Sequence, residues 1–305
     1  MTQPRRIRKG STYLITRRCS QRAFLLSPRE WLVRGFGYLL AVSAARFGIA
    51  VHGACVMSNH YHAVVTDPGG RVCAFLQHFH SLVARLCNLK LGRTENFWST
   101  DKASLVLLPE PDDVLESLVY VLTNPVKGGL VRSHKDWPGY CTRAEDCGRA
   151  PRVWERPKLL FRGQGPLPAR AELQVVVPGA FAHLSAEAFA SLLGERIAAR
   201  EASVQERFKA AGRRFAGASA ARRQSPNATP RVKAERAGRN PTVSARRSER
   251  LVAELEALAI FRTEYREARQ SWRQGEREVV YPVGTYHMLH EHRVRCHPPP
   301  LRLAS

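Results

Sequence analysis

The sequence lacks any long uninterrupted apolar run. Its longest apolar stretch, from Trp31 to Met57, contains Arg34 and Arg46, whereas a membrane-spanning helix needs about 18 or more apolar residues in succession. The basic N-terminal residues are not followed by an apolar region with a small-residue cleavage site, so we expect no export signal. These absences exclude a transmembrane protein and lead us to expect a cytoplasmic one.

A Cys-x-x-Cys pair is also absent. The seven cysteines are odd in number and lie mostly in apolar segments, which is typical of reduced, buried thiols. We therefore expect no structural disulfides.

Acidic residues are scarce. The 305 residues include 26 Asp and Glu against 48 Lys and Arg, which gives a net charge of +22. Such a surplus favours a nucleic-acid partner, because each phosphate that is neutralised releases counterions and strengthens binding; a basic protein without such a partner is the alternative. The charge is densest in residues 201–250, with 13 basic and 4 acidic residues, and the part near 215–245 predicts a flexible basic arm or a solvated tether.

Apolar and β-branched residues predict a regular series of elements. Strands are expected over residues 11–18, 49–57, 61–66 and 104–108, and helices from Pro28 to Phe47, from residue 72 to 86, and from about residue 114 to just before Pro125. The order of the first six elements predicts an α+β fold, namely a ferredoxin-like split βαβ antiparallel sheet with helices on one face. Helical patterns over 185–212 and 250–275 predict a basic, mainly helical C-terminal extension.

Two histidines stand out in the second half of the predicted hairpin. His60 and His62 are two residues apart on a strand, so both imidazoles project from one face and could form half of a metal site. Two half-buried structural histidines are the alternative. The other His-x-His pairs are weaker, because 78/80 lies on a predicted helix surface and the cluster at 287–297 fits no common zinc module.

A tyrosine on the third predicted helix completes the candidate site. Tyr120 and Asn124 stand at i and i+4, so they point the same way and could face the histidine strand. Tyrosine can attack a phosphodiester as a nucleophile, and Mg²⁺ or Mn²⁺ held by two imidazoles and an amide oxygen would polarise the phosphate. A packed aromatic and a helix C-terminal cap are the alternatives for Tyr120 and Asn124.

These segments resemble HUH single-tyrosine transposases. Residues 57–65, MSNHYHAVV, resemble the histidine strand of that superfamily, with Ser58 where proline is usual, and residues 120–131, YVLTNPVKGGLV, resemble the tyrosine helix of REP-associated tyrosine transposases. Three further landmarks, at 13–18 with Arg22, at 97–98 and at 137–138, follow in the same order as in that group. Lys127 and Gly128 replace the arginine and alanine of the family pattern.

The resemblance implies a metal-dependent endonuclease and strand-transfer enzyme for single-stranded DNA that carries hairpins. It assigns His60, His62 and Asn124 as Mg²⁺ or Mn²⁺ ligands, and Tyr120 as the nucleophile that forms a 5′-phosphotyrosine. It implies a catalytic domain over residues 1–145 and an extension over 146–305, and it leaves a monomer or a homodimer open. A domesticated nucleic-acid-binding protein without turnover is the alternative.

The DNA-binding residues are expected among the basic side chains near the first strand. The basic N-terminal segment, Arg17, Arg18 and Arg22 are candidates for phosphate contacts, and Phe97 and Trp98 could stack on exposed bases. Because most of the charge lies outside the resembling region, truncation after residue 150 is expected to weaken salt-dependent binding more than it alters cleavage.

Overall fold

The computed structural model describes residues 3–158, 165–230 and 241–298. The described chain forms two compact units, one from residues 11–244 and the other from the residues before 11 and after 244. Within these ranges, no helix is both long and apolar enough to cross a lipid bilayer. All seven cysteines carry free thiols, and four of them are buried.

A four-stranded antiparallel sheet organises the larger unit. The strands are β1 (Ser11–Arg18), β2 (Ala50–Val56), β3 (His60–Asp67) and β4 (Ser104–Leu108), in the order β2-β3-β1-β4. The register between β1 and β3 pairs Arg18 with His60 and Thr16 with His62. The structure therefore confirms a mixed α+β fold with a four-stranded antiparallel sheet.

Helices cover both faces of this sheet. Helices α1 (Glu30–Phe47) and α2 (Val72–Leu91) pack together on one face, where Phe36 and Phe79 contact Tyr61. Helix α3 (Pro111–Leu122) lies on the opposite face, because His62, the next residue of β3, contacts Tyr120. The prediction of helices on one face is therefore wrong for α3. Residues 63–65 of β3 are all buried, so apolar side chains point to both faces of the strand. Such a strand needs other elements packed on both faces of the sheet.

Glycine ends both helices of the first face. Gly48 follows α1 with a φ of 65°, and Gly92 follows α2 with a φ of 62°. This left-handed conformation terminates a helix at little cost in glycine, because glycine has no Cβ. Helix α1 begins at Glu30, two residues after the predicted start at Pro28.

The chain from residue 146 to 244 belongs to the same unit. It forms a hairpin of β5 (Arg152–Glu155) and β6 (Arg170–Leu173), the long helix α5 (Ala186–Ala210) and the short helix α6 (Ala218–Arg222). One core cluster contains residues of α3 together with five side chains of α5, which are Phe189, Leu193, Ile197, Val204 and Phe208. The predicted boundary after residue 145 therefore does not match the packing, because the core formed by α3 is completed by α5.

Part of the predicted flexible stretch near 215–245 is ordered. Residues 218–222 are helical, Ala221 is fully buried, and Val243 forms a β-bridge with Leu107 of β4. Residues 231–240 lie outside the described residues. Bridges from Val175 to Val51 and from Cys141 to Cys55 cover the other edge of the sheet at β2. The later segments thus protect both edge strands of the sheet.

A buried histidine joins the later segments to the sheet. His52 is 2% exposed; its Nδ1 donates to the carbonyl oxygen of Val176 at 2.8 Å, and its Nε2 lies 2.7 Å from the hydroxyl of Thr66. A carbonyl oxygen can only accept, so Nδ1 carries the proton and Nε2 accepts from Thr66. Burial lowers the pKa of His52 to about 4, against a smaller opposing effect of the Val176 hydrogen bond.

Acid should therefore destabilise the protein through His52. The unfolded histidine binds a proton below its usual pKa of about 6.5 while the folded one stays neutral until about pH 4, so stability is lost as the pH falls through that window. This difference amounts to about 2 kcal/mol of unfolding free energy by about pH 5. Urea unfolding at pH 5 and pH 7 should show that His52→Gln reduces the pH dependence of the unfolding free energy by this amount relative to wild type. Equal pH dependence in wild type and His52→Gln would refute this assignment.

The second unit is mainly helical. It contains α7 (Ser248–Arg273), a parallel pair of short strands β7 (Val280–Tyr281) and β8 (Arg295–Cys296), and α8 (His287–His292). Its core is formed by Phe261, Tyr265, Ala268, Tyr281, Met288 and Val294. The N-terminal segment is part of this unit, since the amide of Ile7 donates to Gly284 and Arg8 pairs with Glu254 at 3.1 Å. The long helices predicted over 185–212 and 250–275 are confirmed.

Candidate nuclease site

His60 and His62 lie side by side at the start of β3. Their ring centres are 4.8 Å apart, as expected for residues i and i+2 on one face of a strand. His62 is 5% exposed, whereas His60 is half-buried at the edge of a cavity. The intervening Tyr61 points to the opposite face, where its hydroxyl lies 2.6 Å from Nε2 of His80.

Neighbouring side chains orient both imidazoles. The amide nitrogen of Asn59 donates to the carbonyl oxygen of Arg22 at 3.1 Å, so its oxygen is the atom that lies 2.7 Å from Nδ1 of His60. Because that oxygen can only accept, His60 carries its proton on Nδ1 and leaves the Nε2 lone pair free. Nδ1 of His62 forms a hydrogen bond of 2.7 Å with the hydroxyl of Thr16, which can donate or accept.

Electrostatics keeps both imidazoles neutral. Burial, followed by the positive charges of Arg18 and Arg22, lowers the pKa of His60 to about 4. Burial, followed by repulsion from His60, Lys127 and Arg18, lowers the pKa of His62 well below its usual value. Neutral imidazoles can bind a metal ion without first releasing a proton.

Tyr120 of α3 contacts His62. Its ring centre lies 5.2 Å from that of His62, and the ammonium group of Lys127 lies 4.9 Å from the Tyr120 ring centre. Tyr120 is half-buried and packs against the core shared by α3 and α5. The sequence thus predicted a grouping of His60, His62 and Tyr120 that is also present in the structure.

Asn124 is placed differently from the prediction. Helix α3 ends at Leu122, and Asn124 begins the separate short helix α4 (Asn124–Lys127) after Thr123. Asn124 is 7% exposed, and its backbone carbonyl accepts from Gly128 at 2.9 Å. The i, i+4 relationship on one helix therefore does not hold. Pro125 has no amide proton to donate to the carbonyl of Val121, and its ring crowds that carbonyl, which accounts for the break.

A cavity of about 450 Å³ opens beside His60 and is lined by Arg18 and Arg22, among other residues. Gln21 and Arg22 have φ angles of 51° and 59°, an uncommon conformation for residues other than glycine. The hydrogen bond from Asn59 to the Arg22 carbonyl helps to hold this turn. Two of the three predicted DNA-binding arginines thus lie next to the histidines.

The third arginine and the predicted stacking aromatics are placed elsewhere. Arg17 is next to Arg18 on β1 and so points to the other face, where it donates to the backbone carbonyls of Ser99 and Asp101. Phe97 and Trp98 are only 2% and 8% exposed. The proposed stacking of bases on these two rings is therefore wrong, because both are packed into the protein.

The histidines of the other pairs contact neighbouring side chains. His78 lies 3.0 Å from the hydroxyl of Ser43, and His80 bonds to Tyr61, so neither is the plain surface residue that the sequence suggested. In the second unit, His290 contacts Tyr286 and His292 contacts Trp272. Across the described ranges, no three His, Cys, Asp or Glu residues cluster in a way that could hold a metal ion. A metal at His60 and His62 would need ligands of another kind.

Several residues around the site were not identified from the sequence. Thr16 and Asn59 orient the histidines, and Ser58 hydrogen-bonds to Gln224, which also lines the cavity. Because side chains alternate between the two faces of a strand, Thr16 lies on the same face of β1 as Arg18. This alternation is the one sequence signal that could have placed Thr16 near the site. The contact with Gln224 joins residues 166 positions apart in the chain, so no local pattern reveals it.

Comparison with known proteins finds a likeness among solved structures. No protein-family model and no curated protein matches the chain. Among solved structures, the chain is similar to one described as the REP-associated tyrosine transposase bound to a REP hairpin. The match covers 48% of this chain and 85% of that chain, with 20% sequence identity and a TM-score of 0.41. At this level of similarity, the match assigns no role to any residue of this chain.

Proposed function

We propose that the protein is a metal-dependent HUH tyrosine transposase. It would cleave and rejoin single-stranded DNA that carries hairpins, through a covalent 5′-phosphotyrosine intermediate. The observation that carries the proposal is the grouping of His60, His62 and Tyr120 on one face of the sheet, with ring centres 4.8 and 5.2 Å apart. The free thiols and the DNA substrate are consistent with action in the cytoplasm.

The topology supports a ferredoxin-like arrangement for this unit. Each of β1 and β3 is followed by a helix on the same face, and the strand order places β3 between β1 and β2. This is the split βαβ connection. Helix α3, on the other face, adds the nucleophile to this framework.

The donor atoms fit a divalent metal ion. Nε2 of His62 is buried and has no hydrogen-bond partner, which is costly unless another group occupies the site. Each ligand's other ring nitrogen is already engaged, by Asn59 or by Thr16, as is usual for metal-bound histidines. The amide of Asn124 is our candidate third ligand. Mg²⁺ and Mn²⁺ both suit oxygen ligands, and the two imidazoles favour Mn²⁺.

The chain's own residues would carry out the covalent step. The phenol oxygen of Tyr120 attacks the phosphorus and the bond to the 3′ oxygen breaks, so the 5′ phosphate becomes attached to Tyr120. The phenol proton passes to water, and the released 3′ oxygen takes up a proton to give a 3′-hydroxyl. A bound metal ion would polarise a non-bridging phosphate oxygen. Attack by another 3′-hydroxyl on the phosphotyrosine reverses these steps and joins the strands.

The surroundings of the site fit a polyanionic substrate. Arg18 and Arg22 line the cavity beside His60, and Lys127 lies over Tyr120. These cations would attract the phosphates of a strand that passes the histidines, and the net charge of +22 would strengthen this attraction at low salt. Single-stranded or hairpin DNA is therefore the proposed partner.

Thr16→Val should weaken metal binding by His62 without unfolding the protein. Valine has nearly the shape of threonine but cannot hydrogen-bond to Nδ1 of His62, so we expect the Mn²⁺ concentration for half-maximal cleavage to rise about 10–100-fold. Cleavage at saturating Mn²⁺ should stay near that of wild type. The measurement is a titration of strand cleavage with Mn²⁺ after treatment with a chelator.

Thr12→Val is the matched control. Thr12 lies on the same face of β1, but its hydroxyl bonds to Thr66, at the other end of the strand. It should leave the Mn²⁺ dependence unchanged. Cleavage that resists the chelator would contradict the metal role, and DNA binding without cleavage in any divalent ion would favour a non-catalytic binding protein.

A further inference from the structure

A group of cations lies near Tyr120, where α3, α4 and α5 meet. Lys127 of α4 and Arg200 and Arg207 of α5 form this group, which we call the α5 cation cluster. The ammonium group of Lys127 lies 4.9 Å from the Tyr120 ring centre. Partial burial, followed by the charges of Arg200 and Arg207, lowers the pKa of Lys127, so both arginines are close enough to Lys127 to repel its ammonium group.

Helix α5 is fixed firmly against the tyrosine helix. A guanidinium nitrogen of Arg200 lies 3.3 Å from the carboxylate of Glu116, which is one helical turn before Tyr120 on α3. Seven residues after Arg200, Arg207 lies on the same face of α5, next to the buried Phe208. The position of the arginines relative to Tyr120 therefore depends on packed side chains rather than on a mobile loop.

Close packing also fixes Lys127. Gly129 has a φ of 70°, and a Cβ at this position would come within 2.8 Å of the Phe208 ring. The chain after α4 thus approaches α5 as closely as a glycine allows. This contact fixes the backbone two residues after Lys127 against α5.

We propose that the α5 cation cluster binds backbone phosphates of the DNA strand next to the bond attacked by Tyr120. The inference rests on the proposed function for the role of Tyr120. Glu116 offsets one of the three charges, so a net positive charge of about two remains and is relieved when phosphates bind. Lys127 lies within the region that resembles the transposases, whereas Arg200 and Arg207 belong to a helix outside it, and the ligand is the phosphodiester backbone rather than any base.

The salt dependence of binding tests this site without requiring catalysis. A fluorescent oligothymidylate is titrated with protein at several salt concentrations, in a Tyr120→Phe background and without divalent metal. Arg200→Ala/Arg207→Ala should reduce the slope of log affinity against log salt by about 1.4, since each lost single-strand phosphate contact contributes about 0.7. Arg207→Ala alone should reduce it by about 0.7 and leaves the pair of Arg200 with Glu116 intact.

Two further variants control for charge and for folding. Arg46→Ala/Arg85→Ala removes the same charge from α1 and α2, on the face of the sheet away from Tyr120, and should leave the slope nearly unchanged. Arg200→Lys/Arg207→Lys keeps the charge and should show most of the wild-type slope. An unchanged slope in Arg207→Ala, or an equal fall in the α1 and α2 control, would overturn the phosphate site.

Failure of the inference can be told apart from failure of the proposed function. If the wild-type protein forms no covalent adduct but the arginine variants show the slope change, the phosphate site is supported and the nuclease assignment is wrong. If an adduct forms at Tyr120 but the slope is unchanged in the arginine variants, the nuclease assignment is supported and the phosphate site is wrong.

Discussion

Tyr120→Phe should abolish the covalent adduct between protein and DNA. The substitution removes only the hydroxyl oxygen that would attack the phosphate, so strand cleavage should fall by a factor on the order of 10³–10⁶. The ring contacts with His62 at 5.2 Å and with Lys127 at 4.9 Å do not need the hydroxyl. Binding of the uncleaved strand should therefore change by less than about 0.5 kcal/mol.

Tyr61→Phe is the matched control for this experiment. Tyr61 lies between the two histidines in sequence, but its hydroxyl bonds to His80 on the opposite face of the sheet. This variant should still form the adduct. Denaturing gels of both variants, run with a labelled strand, give the comparison, and an undiminished adduct in Tyr120→Phe would rule out the proposed nucleophile.

Truncation after residue 150 should unfold the protein rather than merely weaken DNA binding. It removes the five buried side chains by which α5 completes the core of α3. Each large apolar side chain contributes about 1.5–3 kcal/mol on burial, so their loss is comparable with the total stability of a domain, about 5–15 kcal/mol. The sequence alone predicted that truncation weakens binding more than it alters cleavage, and the structure predicts loss of both.

A shortened chain that ends at Ser244 is the matched control. It keeps the whole compact unit of residues 11–244, including α5 and the bridge from Val243 to Leu107. Circular dichroism should show cooperative thermal unfolding for this chain and none for residues 1–150. A chain of residues 1–150 that unfolds cooperatively and forms the adduct would contradict the account of the core.

The sheet and the central histidines were predictable because their signals are local. The alternation of side chains along a strand puts His60 and His62 on one face, and the run from Ser104 to Leu108 is bounded by polar residues and proline. The sequence predicted helix α5 but did not predict that it packs against α3. Its buried side chains recur with helical spacing from Phe189 to Phe208, which indicates a buried face without indicating what covers it.

The errors at the site arose from long-range contacts. Nothing local shows that Arg17 donates to backbone carbonyls about 80 residues away, or that Trp98 packs beneath Arg17 and His80. The Asn124 placement depended on the continuity of α3, which ends at Leu122, two residues earlier than expected, because Pro125 cannot continue its hydrogen bonds. Patterns of spacing thus predicted which residues share an element and left open which elements meet.

Mapping the covalent bond in the wild-type protein tests the central claim most directly. The protein is incubated with a hairpin-bearing single strand and Mn²⁺, the adduct is digested with protease and nuclease, and the modified peptide is sequenced by mass spectrometry. We predict one 5′-phosphotyrosine, at Tyr120, that disappears when a chelator is added before the DNA. A nucleotide attached to any other residue, or cleavage with no covalent protein–DNA bond, would contradict the account.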